Sequence, residues 1–146
     1  MLITKPYSED MEISGDRTLQ TGVTGLRLIR VSGKLTIPSG IFVGALKVKA
    51  PTIIIEPDAT VFASITADNV ENYGKIIGNV KVADTFYNYM IVEGDVEAKR
   101  VSLSEGSYVL GSIEADIVEH SLRFLVAGKI TAREIIEKEI PFKEAK

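Results

Sequence analysis

A short phrase that recurs seven times constrains the fold of this chain more than any other feature of its sequence. The phrase reads apolar, any, Gly or Ala, any, aliphatic, any, small or aliphatic. Its central Gly or Ala, the anchor, lies at positions 33, 44, 63, 78, 94, 111 and 128, and the last four steps between anchors are 15 to 17 residues long. A repeat of this length is typical of a solenoid, in which each unit buries its apolar face against the next one.

Apolar and polar positions alternate within each phrase, as they do along a β-strand with one buried face. The two positions that flank the anchor at a distance of two residues are always large and apolar. Before the anchor they are Val31, Phe42, Val61, Ile76, Val92, Val109 and Val126; after it they are Leu35, Leu46, Ile65, Val80, Val96, Ile113 and Ile130. The aliphatic composition, 18 Ile and 14 Val against 10 Leu, also favours strands over helices.

These patterns predict an all-β fold, a single-stranded right-handed β-helix of about six turns with three short strands per turn. We expect residues 31–135 to form the β-helix core, residues 1–30 an N-terminal cap or imperfect first turn, and residues 136–146 a C-terminal tail. Right-handed coiling is favoured because left-handed β-helices keep a strict six-residue beat, which this chain lacks. An immunoglobulin-like sandwich of seven short strands is the alternative fold. Gly or Ala at the anchor is expected where a corner crowds the interior.

Composition excludes several classes of function. The 146 residues suit one domain. The net charge of −3 argues against nucleic-acid binding, which needs a clustered basic surface. Without cysteine there is no disulfide framework and no thiolate metal site, and no phosphate-binding glycine loop occurs. No segment approaches the ~18 apolar residues of a membrane span. We therefore predict no cofactor, no metal, no catalytic residue and no membrane span, in a protein compatible with the cytoplasm.

The polar residues suggest no catalytic site. His120 is the only histidine, and its sequence neighbours on a strand point to opposite faces, so we interpret it as a corner or surface residue. The carboxylates Asp95, Glu97 and Glu114 could line one outward face and bind calcium or transfer protons. Because Lys81 is expected on a neighbouring turn, a solvated ladder of charges is the favoured interpretation.

Three segments carry a resemblance to a known family. They are residues 92–101 (VEGDVEAKRV), 104–109 (SEGSYV) and 111–115 (GSIEA). Their pattern of Gly, acid, aliphatic, any, Ala, then a turn Gly, then Val, any, Gly resembles that of the bactofilins, polymer-forming cytoskeletal proteins. The resemblance covers roughly residues 76 to 135, with a weaker extension back to about residue 31. It implies a right-handed β-helix that stacks end to end into nonpolar filaments without nucleotide and scaffolds envelope or cell-shape proteins.

Three functional hypotheses follow. The first is a self-assembling structural protein of the bactofilin type, whose partners are further copies of itself and envelope-associated proteins. The second is a capped β-helix that serves as a binding or accessory module in a small oligomer. The third, a carbohydrate-active enzyme, ranks last because such β-helices usually need more turns than this chain supplies.

Two groups of residues are candidates for the surfaces that these hypotheses require. Apolar residues near the C-terminal end are candidates for an assembly interface: Phe124, Ile140 and Phe142. An aromatic and methionine-containing segment is the candidate for a partner patch, because such side chains make adaptable contacts: Phe86, Tyr87, Tyr89 and Met90. The same segment could instead form a loop that folds back on the rod.

Overall fold

The computed structural model of the chain describes residues 6–141, which form fourteen strands and no helix. The strands are β1 (Glu9–Ile13), β2 (Arg17–Thr18), β3 (Val23–Val31), β4 (Lys34–Ile37), β5 (Phe42–Ile55), β6 (Thr60–Asn72), β7 (Lys75–Ile77), β8 (Val80–Asn88), β9 (Ile91–Glu93), β10 (Val96–Leu103), β11 (Ser107–Val109), β12 (Ile113–His120), β13 (Phe124–Val126) and β14 (Ile130–Glu137).

Successive turns of the chain stack directly on one another as parallel strands. One ladder of paired residues passes through every turn: Met11, Ile29, Val48, Ile65, Val80, Val96, Ile113 and Ile130. These residues lie 15 to 19 positions apart in sequence. The predicted all-β solenoid is therefore confirmed, and it has about eight turns.

Each turn has three sides, which we number in the order of the ladders. The first side contains β1, the end of β3, the middle segments of β5 and β6, and the segments that begin β8, β10, β12 and β14. The second side contains β2, β4 and the segments that end β5, β6, β8, β10, β12 and β14. The third side contains the starts of β3, β5 and β6 and the three-residue strands β7, β9, β11 and β13.

The core is a set of apolar columns that run along the solenoid axis. Val92 pairs with Val109 and Val109 with Val126 in adjacent layers of the third side. Val92 and Val109 are fully buried. Equivalent side chains therefore lie over one another through the interior, as a solenoid requires and a two-sheet sandwich does not.

The number of turns and the register of the first two phrases differ from the prediction. The chain makes about eight turns and not six, because residues 9–31 already supply β1, β2 and β3 in register with later layers. In the second phrase Val43, not Phe42, pairs with Val61, and a bulge between Gly44 and Lys47 shifts the strand. Leu46 is consequently 54% exposed and Val48 takes the predicted interior position. The hand of the coil remains a prediction.

A buried amide ladder fixes the register where the second side meets the third. The Asn72 side-chain amide donates to Asn88 Oδ1 at 3.0 Å and to the Ile91 carbonyl at 3.1 Å. Asn88 in turn donates to the Tyr108 carbonyl at 3.1 Å. Both asparagines are fully buried, so a slip of one residue would leave their polar atoms without partners.

Glycine at the later anchors is required by close approach of two layers. A Cβ atom on Gly94 would lie 2.1 Å from the Gly78 carbonyl oxygen, and one on Gly111 would lie 2.3 Å from the Gly94 carbonyl oxygen. The predicted crowding at the corner is thus present. At Gly44 the nearest atom is the tip of the exposed Phe42 ring, at 3.1 Å, so this anchor has no such constraint.

We therefore expect Gly94→Ala to destabilise the fold by roughly 1–3 kcal/mol, since backbone has to move to admit the methyl group. Gly44→Ala is the matched control and should change stability by less than about 0.5 kcal/mol. Chemical denaturation followed by circular dichroism measures both. Equal losses in the two variants would contradict the assignment of the corner contacts.

Candidate assembly and binding surfaces

The C-terminal end of the solenoid exposes the interior of its last turn. In the penultimate turn the inward side chains are covered, with Ile113 1% and Val118 0% exposed. In the last turn their ladder partners have no further layer over them within the described residues. Ile130 is half-buried and Ile135 is 53% exposed. The columns that are closed core elsewhere therefore end in an open aliphatic surface.

The same end presents unpaired strand edges. Within residues 6–141, β14 pairs only with β12, and β13 pairs only with β11. An edge strand has free N–H and C=O groups that can pair with a strand of another chain. The end face thus combines apolar columns with backbone groups that can continue the ladder.

The structure places two of the three predicted interface residues near this end. Phe124 begins β13, is half-buried, and packs its ring 4.6 Å from the ring of His120. Ile140 is fixed through its backbone: its carbonyl accepts from the Glu105 amide and from the Ser121 hydroxyl, both at 2.8 Å. Phe142 lies outside the described residues. That these residues form an assembly interface stays a prediction.

The N-terminal end is open in the same way but carries a charge. β1 pairs only with β3 and β2 only with β4 over the described residues. Met11 and Ile13 are half-buried. Arg17 is exposed and occupies the ladder position beside the fully buried Leu35. The C-terminal end has the aliphatic Ile135 at the corresponding place, so it is the more apolar of the two.

The predicted partner patch is divided between core and surface. Phe86 is fully buried in the ladder between Val70 and Val101, so it does not contribute to a surface. Tyr87 is 38% exposed, while Tyr89 and Met90 are half-buried. The segment is not a protruding loop, because residues up to Asn88 belong to β8.

Tyr89 belongs to a stacked pair of rings at the corner between the second and third sides. Its ring lies 4.7 Å from that of Tyr73 in the layer below, at an angle of 2°. The Tyr73 hydroxyl donates to Glu71 Oε1 at 2.6 Å. Burial, and then the nearby Glu71 carboxylate, raise the pKa of both hydroxyls above the ordinary tyrosine value. The pair remains neutral at physiological pH and offers a flat, partly covered aromatic surface.

The polar candidates form no catalytic arrangement in the described part of the chain. The Nδ1 atom of His120 lies 2.8 Å from the Ser121 carbonyl. Glu119 is held by Arg100 and by Lys138. Glu97 and Glu114 are paired neighbours on the first side, and the Glu97 carboxylate lies 3.9 Å from the Lys81 ammonium group, as in the predicted charge ladder. No cluster of three potential metal ligands occurs among residues 6–141.

Sequence reasoning missed a groove of about 1310 Å³ along the corner between the first and second sides. Its rim is charged and its floor small and apolar. Lining residues include Arg30, Lys49, Lys81, Glu97 and Lys99 on the rim and Val31, Ala50, Ala67, Val82 and Ala98 on the floor. In the sequence the floor residues have the pattern of ordinary core positions. The groove exists only because each turn bends at this corner, and the sequence pattern does not show that bend.

Sequence reasoning also missed an apolar outward face on the third side. Its most exposed members are Phe62 at 51%, Leu110 at 46% and Leu125 at 45%. The signal was present as apolar residues next to the buried column, such as Phe62 beside Val61 and Leu110 beside Val109, where alternation would place polar ones. The described residues contain no helix long and apolar enough to cross a membrane.

Comparison with known proteins points to one family. The sequence model of the bactofilins, described as polymer-forming cytoskeletal, matches residues 8–114. The chain is 29% identical over 112 residues to Bactofilin BacO of Myxococcus xanthus (strain DK1622), and the alignment covers 75% of each protein. No solved structure matches the chain. The family match begins just before β1, within the region of residues 1–30 for which the sequence predicts a cap or imperfect first turn.

The burial of Phe86 can be tested by truncation. We expect Phe86→Ala to destabilise the fold by roughly 3–5 kcal/mol, because it leaves a cavity in the interior ladder. Tyr87→Ala, on the outward face of the same strand, should cost clearly less. Thermal or denaturant unfolding of the two variants measures the difference; a larger loss for Tyr87→Ala would show that the strand is turned over.

Proposed function

The chain belongs to the bactofilin family of polymer-forming cytoskeletal proteins, and on that premise we propose that it assembles end to end into filaments without nucleotide. Each protomer adds its stacked layers to the next one, so that the solenoid continues through the junction. The polymer is the functional form, a cytoplasmic scaffold that holds envelope-associated proteins. The resemblance seen in the sequence and the family match both support this role.

One observation carries the proposal: inward side chains change from fully covered to half-exposed within a single layer at the C-terminal end. Val118 is 0% exposed, whereas its ladder partner Ile135 is 53% exposed. Covering a half-exposed aliphatic side chain contributes roughly 1 kcal/mol. Several such residues, together with the free backbone groups of β13 and β14, favour addition of another solenoid end.

The proposed junction also accounts for the absence of a nucleotide requirement. Its components are aliphatic columns and strand edges that are already formed in the folded protomer, so no ligand has to order them. The sequence contains no Gly-x-x-x-x-Gly-Lys-Ser/Thr loop to cradle phosphates. We extend the junction to Phe124, which lies on the last turn, and to Ile140, which is the third residue after β14.

The groove favours a second candidate function. A charged rim over an apolar floor suits an extended partner that lies along the rod, which fits a binding or accessory module. Such a module could act alone in a small oligomer or as the side of a filament. We rank it second, because the open end face requires a covering in either case. Among residues 6–141 we find no residue arrangement that supports the third hypothesis, a carbohydrate-active enzyme.

Electron microscopy and sedimentation of the purified chain test assembly. We expect filaments in the wild type and their loss in Ile135→Arg, because the charge replaces an apolar residue in the junction. The critical concentration should rise at least about tenfold, which corresponds to about 1.4 kcal/mol per junction. Dispersed wild-type particles at high concentration would contradict the proposal.

The adjacent Ile136 provides the control. It is the same residue type on the same strand, but it belongs to the outward ladder that contains Ser102 and Glu119. Ile136→Arg should therefore leave filaments intact. Ile140→Asp tests the extended junction and should also reduce assembly; normal filaments in that variant would restrict the junction to the layers that end at β14.

A further inference from the structure

The outward face of the third side is the only one of the three on which large apolar residues dominate in the described part of the chain. From β5 onward, two outward columns of six positions each form this face. The first column is Phe42, Thr60, Lys75, Ile91, Tyr108 and Leu125; the second is Gly44, Phe62, Ile77, Glu93, Leu110 and Ala127. By contrast, every position in one outward column of the first side is polar: Glu12, Arg30, Lys49, Thr66, Lys81, Glu97, Glu114 and Thr131.

The two charges on this face lie at its centre. Lys75 and Glu93 belong to adjacent middle layers and are 2.8 Å apart, Nζ to Oε2. Among the six layers from β5 to β13, two lie before them and two after them, and each flanking pair of layers carries large exposed apolar side chains, among them Phe62 and Leu110. The start of β3, where Val23 pairs with Val43, adds one more layer at the N-terminal end. The six layers from β5 to β13 are therefore similar in chemistry on either side of the charged pair.

From this arrangement we infer that the third side is a self-complementary lateral interface, by which protomers of two neighbouring filaments pack face to face with their solenoid axes antiparallel. The inference rests on the proposed end-to-end assembly. A two-fold axis across the midpoint places Lys75 beside the partner's Glu93. The same axis sets Phe62 opposite Leu110 of the partner and the small Gly44 opposite the small Ala127. Two sheets that pack in this way lie about 10 Å apart.

The size of the face indicates when pairing occurs. Six layers at about 4.8 Å spacing span about 24 Å, and three residues across span about 10 Å. The resulting area of roughly 240 Å² is far below the ~800 Å² per partner of a stable complex. A single protomer therefore does not dimerise through this face. A filament repeats the face once per protomer, so the contacts add up and lateral pairing follows polymerisation.

Charge reversal with mixing tests the inference. Lys75→Glu leaves two anions on the face and Glu93→Lys leaves two cations, so filaments of either variant alone should repel and remain single. Mixing preformed filaments of the two variants should restore pairs, because each face then meets its opposite. Low-speed centrifugation pellets paired filaments and leaves single ones in the supernatant, and electron microscopy shows which are present. We expect low-speed pelleting to fall at least fivefold for each variant and to recover on mixing.

The chain offers a matched control one side away. Lys81→Glu and Glu97→Lys make the same changes in the exposed pair of the first side and should leave wild-type pairing unchanged. The apolar part is tested by Phe62→Lys, which should also give single filaments, since this side chain is exposed and its loss leaves the core intact.

The outcomes separate the two proposals. Wild-type filaments that never pair, or reversal variants that pair like the wild type, overturn the lateral interface and leave end-to-end assembly standing. Absence of any wild-type filament overturns both. Single wild-type filaments that instead adsorb to phosphatidylcholine vesicles, with loss of adsorption in Phe62→Lys, overturn lateral pairing in favour of a lipid surface. If mixing does not restore pairs, the two charges act only within one protomer, and this result also overturns the lateral interface.

Discussion

Each layer of this protein is buried only by the layers before and after it, and the rest of the structure depends on this constraint. A turn of about seventeen residues is too small to enclose a core of its own. Its inward side chains are covered because the next turn places similar side chains over them, as Val101 and Val118 do at 0% exposure. The parallel ladder fixes this alignment, and the buried pair Asn72 and Asn88 opposes a shift of register.

A fold of this kind has no natural end. Every interior layer has two neighbours, but the first and last have one, and their apolar columns stay open unless something covers them. The described chain ends with Ile135 half-exposed at one pole and with the charged Arg17 in the ladder at the other. Polymerisation covers these open columns with the same kind of layer-to-layer contacts that stabilise the protomer. The apolar third side is a separate feature. It runs along the rod, so end-to-end stacking does not cover it.

The sequence predicted the solenoid because columns repeat where the period is regular. Val92, Val109 and Val126 align without ambiguity, and the stacked glycines confirm that one corner is crowded. Prediction failed where a bulge inserts residues: the shift between Gly44 and Lys47 moves the second phrase out of register, and the first phrase belongs to a different side. The two additional turns are formed by residues 9–31, where the repeated phrase is absent from most of the segment.

The surfaces were harder to predict than the fold. The run of aromatic residues that Phe86 begins predicts a surface patch, although its spacing from Val70 and Val101 is that of an interior column. The outward apolar face is harder to predict because alternation identifies buried positions, and a large residue beside a buried one does not change that pattern. The end face cannot be identified from the sequence repeat, because only the three-dimensional structure shows which layer is the last.

The most direct test of the account is fibre diffraction from oriented filaments. Strands that run across the rod and stack through each junction predict a reflection near 4.8 Å on the meridian, along the filament axis. The same spacing on the equator would mean that protomers join through their sides. That result would contradict end-to-end continuation of the solenoid.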